Sequence, residues 1–198
     1  MAGLKGKEKS LEKIIHNFSP GVLLLQETKM STSKQFKLPG FIIFEKRREN
    51  NEGGGLMSIV HENLKPTLIS DEHSEFLEVN VFGNFGAIRA INSYGPQEYW
   101  TWDSKIEYFT ELESRIITAK SNNKRICLEF DANSKLGNKI IPGDPNCMSH
   151  NGKLLYDIIT RQDLIVVNAT DKCSGKITRY KKNSEGRRKK YHLLFHSL

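Results

Sequence analysis

The chain has 198 residues, 37% of them hydrophobic, and a mean hydropathy of −0.51. That suffices for one domain with a sizeable core, and no apolar run approaches the ~20 residues of a membrane span. The formal charge of +7 is uneven: Lys181, Lys182, Arg187, Arg188, Lys189 and Lys190 face one acid, Glu185, so five of the seven net charges lie after residue 180.

Chain order gives the elements. Leu11, Ile14, Ile15 and Phe18 recur at helical spacing, which predicts a helix from about Lys7 to Asn17, stopped by Ser19-Pro20-Gly21. Val22 to Leu25 reads as a buried strand, Phe41 to Phe44 as the next. After a polar run and Gly53-Gly54-Gly55, Leu56 to Val60 resumes a strand. Phe76 to Phe82 alternates apolar and polar residues, as a half-buried strand requires. Ala87 to Ser93 returns antiparallel after a short turn. Ile106, Phe109, Leu112, Ile116 and Ile117 mark a helix from about Asp103 to Ala119. Arg125 to Phe130 is a core strand, and a Gly, Pro and Asn-rich loop spans 133–151. Leu154, Leu155, Ile158 and Ile159 give a third helix, Leu164 to Val167 a strand, and Ile177 to Tyr180 one more. Hairpins mixed with helices predict sheet layers covered by helices. One domain, 1–180, is expected, followed by a basic tail, 181–198.

Two strands end abruptly in an acid: Leu23-Leu24-Leu25-Gln26-Glu27 and Ile126-Cys127-Leu128-Glu129-Phe130-Asp131. An acid beside a core is paired or holds a cation. If the two strands run parallel, Glu27 and Asp131 share one rim of a sheet. Tyr94, before Gly95-Pro96, closes a third strand. Carboxylate, phenol, and carboxylate plus amide suit metal-assisted phosphoryl chemistry.

Each feature also has a plainer reading. Glu27 can cap a turn, and Asp131 with Asn133 can form an Asx turn. Tyr94 can be a half-buried core tyrosine. Tyr99, Trp100 and Trp102 can stack on bases or staple the following helix. The basic tail can be a solvated segment, a nuclear-localisation signal or a polyanion-binding patch. Three scattered cysteines without C-x-x-C argue against a disulfide framework or a zinc site. Met1 to Lys7 is too polar for a signal peptide, so a nuclear or cytoplasmic, non-secreted protein without membrane partners is expected.

The order of the motifs is more specific. Gln26-Glu27-Thr28, Gly53-Gly54-Gly55-Leu56, Asn92-Ser93-Tyr94-Gly95-Pro96 and Asp131-Ala132-Asn133 resemble the endonuclease/exonuclease/phosphatase superfamily. Phe130 to Gly137, Asn151-Gly152 and Leu164 to Asn168 look most like the endonuclease domain of non-LTR retrotransposons. The resemblance implies an α/β (α+β) four-layer sandwich of two packed mixed sheets flanked by helices, here incomplete. It also implies hydrolysis of a DNA phosphodiester with magnesium or manganese. Glu27 would ligate the metal, and Tyr94 would contact the scissile phosphate. Asp131 would orient the attacking water, Asn133 would position the phosphate, and Asn92 and Asn168 would bind substrate. Ala2-Gly3 stands where the family has asparagine before glycine. No aspartate follows Asp171, so the closing aspartate–histidine pair has no counterpart. The resemblance therefore implies a domain truncated at both ends and impaired or inactive. Alternatives are a non-catalytic nucleic-acid binder and a phosphatase acting on small phosphate esters.

Overall fold

The computed structural model describes residues 4, 6–30, 36–47, 54–69, 73–84, 86–140, 147–170, 179–183, 186–190 and 193–196. By its internal contacts the chain divides between Tyr94 and Gly95. The class is α+β, as expected, with two main sheets and three α-helices among the described residues.

The first unit opens with α1 (Glu8–Phe18), followed by β1 (Val22–Gln26), β2 (Phe41–Lys46) and β3 (Leu56–His61). β3 lies between β1 and β2, antiparallel to both. Met57 and Ile59 alternate onto one face of β3, where Leu11 and Ile15 of α1 cover them. Val60, on the other face, packs on Val79 and Val81 of β5. β4 (Thr67–Ile69), β5 (Phe76–Gly83) and β6 (Gly86–Tyr94) form an antiparallel meander. The unit is thus a helix on a sheet on a second sheet. Two expectations change. Ile14 and Phe18 remain exposed, so only part of the α1 stripe is buried. β5 buries both faces near Glu78, because Arg89 on β6 pairs with Glu78 at 2.8 Å and donates to Asn80 at 2.7 Å.

In the second unit, α2 (Trp102–Ser121) buries Phe109, Leu112 and Ile116. Ile106 and Ile117, expected on that face, are exposed. β7 (Arg125–Asp131) follows, then α3 (His150–Arg161) and β8 (Ile165–Val166). Among its described residues, the segment expected as a basic tail carries most of one strand and two further strands. β9 (Arg179–Asn183) and β10 (Gly186–Lys190) pair as a hairpin, and β11 (Leu193–His196) inserts between β7 and β8, antiparallel to both. β1 and β7 belong to different sheets. The expectation that Glu27 and Asp131 end strands of one sheet is therefore corrected: β1 bonds to β3, whereas β7 bonds to β11.

Candidate active site

Glu27 follows β1 directly. The ladder runs in even register to Gln26 opposite Leu56. Beyond it, Thr28 N–H donates to Gly55 O at 3.2 Å and Lys29 N–H to Gly54 O at 2.9 Å. The pairing has slipped by one residue, so Glu27 is the extra residue of a bulge. Its φ is +56°, and that of Lys29 is +48°. Left-handed backbone is uncommon outside glycine and costs on the order of 1–3 kcal/mol. Here the bulge turns the Glu27 side chain out of strand alternation, into a half-exposed position 3.3 Å from Lys29 Nζ. Gly53, at the start of the glycine run, lies outside the described residues.

Asn92 is fully buried. Its amide donates to Leu25 O at 3.2 Å and Met57 O at 3.0 Å, and its Oδ1 accepts from Gln26 Nε2 at 2.8 Å. Asn92 therefore ties β6 to β1 and β3 one residue before the Glu27 bulge. Its amide has no surface to offer a substrate; it positions the strand that carries the acid. Tyr94, half-buried, ends β6 and donates its backbone N–H to Glu75 O at 3.2 Å.

In the second unit, Asp131 ends β7. Its Oδ1 accepts from Asn133 N–H at 3.3 Å, an Asx turn, and its backbone carbonyl accepts from Gly95 N–H at 2.9 Å. Asn133 adopts φ +43°, a conformation its type tolerates, and its Nδ2 donates to Gly95 O at 3.0 Å. Asn151, 1% exposed, donates to Pro96 O at 2.9 Å and Asn133 O at 3.2 Å. Its Oδ1 is a buried acceptor without a hydrogen-bond partner. Gly152 admits no side chain, because a Cβ there would lie 2.0 Å from the Lys135 carbonyl oxygen. That close approach lets Ser149 cap α3 through Gly152 N–H at 3.1 Å while donating its own N–H to Lys135 O at 3.0 Å. The Asp131 loop is thus fixed by side-chain amides on Asn133 and Asn151. Asn168 sits in a 3-10 turn, Val167–Ala169, after β8.

In the sequence Asn151-Gly152 stands only as a motif, and the tethering role of Asn151 shows first in its contacts. An Asn beside a Gly just inside a helix start was the available signal. Glu129, also on β7, has its carboxyl pushed up to about 7 by burial. Cys127, on the same face of β7, is pushed up to about 11 by burial and by Glu129.

A magnesium-class ion takes hard oxygen donors and keeps several waters, so one carboxylate such as Glu27 suits it chemically. Among the described residues no three His, Cys, Asp or Glu gather in a group that could hold a metal. No described helix is long and apolar enough to cross a membrane.

No family model and no curated protein sequence matches this chain. Solved structures do. The endonuclease domain of TRAS1, a telomere-specific non-LTR retrotransposon, aligns with TM-score 0.69 at 16% identity, over 99% of this chain and 83% of that one. The 3′ phosphatase NExo from Neisseria, bound to product DNA hairpin, gives 0.72 at 12% identity, over 98% and 83%. The APE2 catalytic domain of Xenopus laevis gives 0.75 at 12% identity, over 98% and 79%. The chain thus shares the fold of these nuclease and phosphatase structures.

Proposed function

We propose that this chain is a divalent-metal-dependent DNA phosphodiesterase domain of retrotransposon-endonuclease type. The observation that carries the reading is the left-handed bulge at Glu27. Strain kept at an acid that ends a core strand points to a function for that acid. Its solved counterparts in fold include a retrotransposon endonuclease domain and a structure holding a DNA hairpin product.

In this reading Glu27 would hold magnesium or manganese, which when bound would supply charge neutralisation at a phosphate. Tyr94 donates its phenol O–H to a non-bridging phosphate oxygen. Asp131 orients the attacking water and takes up its proton. Asn133 and Asn151 hold the loop that presents Asp131, so their contribution is preorganisation. Asn168 touches the substrate backbone. The test is plasmid nicking with magnesium, comparing the native chain with Glu27→Ala. Nicking that falls at least ~100-fold on substitution fits the reading. Nicking that is indifferent to Glu27→Ala overturns it.

One observation favours a second reading, a non-catalytic DNA binder. In the β9–β10 hairpin, Arg187 stands opposite Lys182, Arg188 opposite Lys181, and Lys190 opposite Arg179. A two-stranded ribbon fits the DNA major groove. If so, Arg187→Gln with Arg188→Gln lowers the slope of log K against log salt by about 2 units. Magnesium-independent binding with no nicking at all would select this reading over the first.

A further inference from the structure

The aromatic run after Gly95-Pro96 does not staple its helix. Tyr99 is 84% exposed and Trp102, the first residue of α2, is 50% exposed. A staple pairs apolar residues before and inside the helix start. Here the inside position is Lys105, which is buried and donates its ammonium to Glu98 O at 2.8 Å. Thr101 caps the helix alone, through Ser104 N–H at 3.2 Å. The Trp102 indole instead meets the His150 ring edge-on, with centroids 5.9 Å apart and planes at 78°. An edge-on contact occupies the rim of one ring and one face of the other, and both residues keep exposed ring surface beyond it.

The surroundings say what an open face would hold. His150 begins α3, directly before Asn151, whose amide ties Pro96 and Asn133 of the Asp131 loop. Lys153, one turn along α3, is exposed. Lys135 is also exposed, and its carbonyl receives the N–H of Ser149, the residue before His150. Flat rings flanked by solvated ammonium groups match a base joined to a phosphodiester. A paired base in a duplex offers no face, so the match is to an unpaired one.

We propose that Trp102 and His150 form a stacking platform for an unpaired base of single-stranded DNA beside the Asp131 loop. This rests on the reading above that DNA is the partner. The platform selects strands that are unpaired next to the reacting phosphate. Lys153 and Lys135 engage the backbone, and the rings engage the base.

The test is binding of oligothymidylate in EDTA, followed by tryptophan fluorescence and by anisotropy, with a duplex of equal length beside it. Trp102→Ala is expected to weaken single-strand binding roughly 5- to 100-fold, with the salt slope and duplex affinity unchanged. Trp102→Phe, which keeps a ring, retains most of the affinity. Lys153→Ala lowers the single-strand salt slope by about 0.7. The proposal is overturned if the native chain does not bind the oligonucleotide. It also fails if Trp102→Ala binds within twofold of it, or if Trp102→Phe is as weak as Trp102→Ala. EDTA removes catalysis from the measurement, so a failure of the nicking test leaves this binding test intact, and the reverse holds too.

Discussion

The strand exit at Glu27 and the strand exit at Asp131 solve one local problem in opposite ways. Both place an acid at the end of an apolar strand. Glu27 is aimed by backbone strain, at φ +56°, and its carboxylate lies half-exposed 3.3 Å from its sequence neighbour Lys29. Asp131 is aimed by bonding: an Asx turn, a tether to Gly95, and amides on Asn133 and Asn151 that lock the loop. Strain is cheap to remove and leaves the surroundings intact. A buried amide network is costly to breach, because each lost donor strands an acceptor. The lesson is that a side chain's role in function and its role in stability separate at Glu27 and coincide around Asp131.

The largest effect expected is at Gly152. Gly152→Ala drives a methyl group into the Lys135 backbone carbonyl, which cannot rotate away as a side chain would. We expect a loss of more than about 3 kcal/mol, seen as a collapse of the urea midpoint. A variant as stable as the native chain would show that the Asp131 loop is not rigidly held, and the contrast with Glu27 would fail.

Glu129 sharpens the comparison by pH. Its folded carboxyl titrates near 7, raised from 4.5 by burial. A raised carboxyl pKa means the folded state binds the proton more tightly, so stability falls as pH rises from about 4.5 through 7. Above that range the buried charge costs up to roughly 3 kcal/mol. Glu129→Gln should therefore raise the midpoint at pH 8 by more than at pH 4.5 and flatten the pH profile between them. Equal shifts at both pH values would remove Glu129 as the cause.

The smallest expected effect carries the sharpest meaning. Glu27→Gly relieves the left-handed strain and should stabilise the fold by about 1 kcal/mol in chemical denaturation, while nicking is lost. A destabilised variant would mean that the Glu27–Lys29 contact is structural, and the separation of roles claimed for that strand exit would disappear.

Most of the local structure was legible in the sequence. The helix expected over Asp103 to Ala119 spans Trp102–Ser121, and the strand expected over Phe76 to Phe82 spans Phe76–Gly83. Apolar periodicity sets these, because each element must present one face or stripe to a core. The acids at the ends of β1 and β7 were visible for the same reason. What remained hidden depended on partners far along the chain. Ile14 and Phe18 fit a helical stripe, yet nothing in their spacing says how wide a face of α1 β3 can cover.

By itself, the sequence determined where strands and helices form and which residues stand at their ends, since both follow from local pattern and chain stiffness. Only the tertiary structure decided that β1 and β7 enter different sheets, that β11 fills the place between β7 and β8, and that Asn92 and Asn151 lie inside as tethers. Those outcomes turn on hydrogen bonds between residues tens of positions apart. A buried amide and an exposed one look the same until the chain has closed around them.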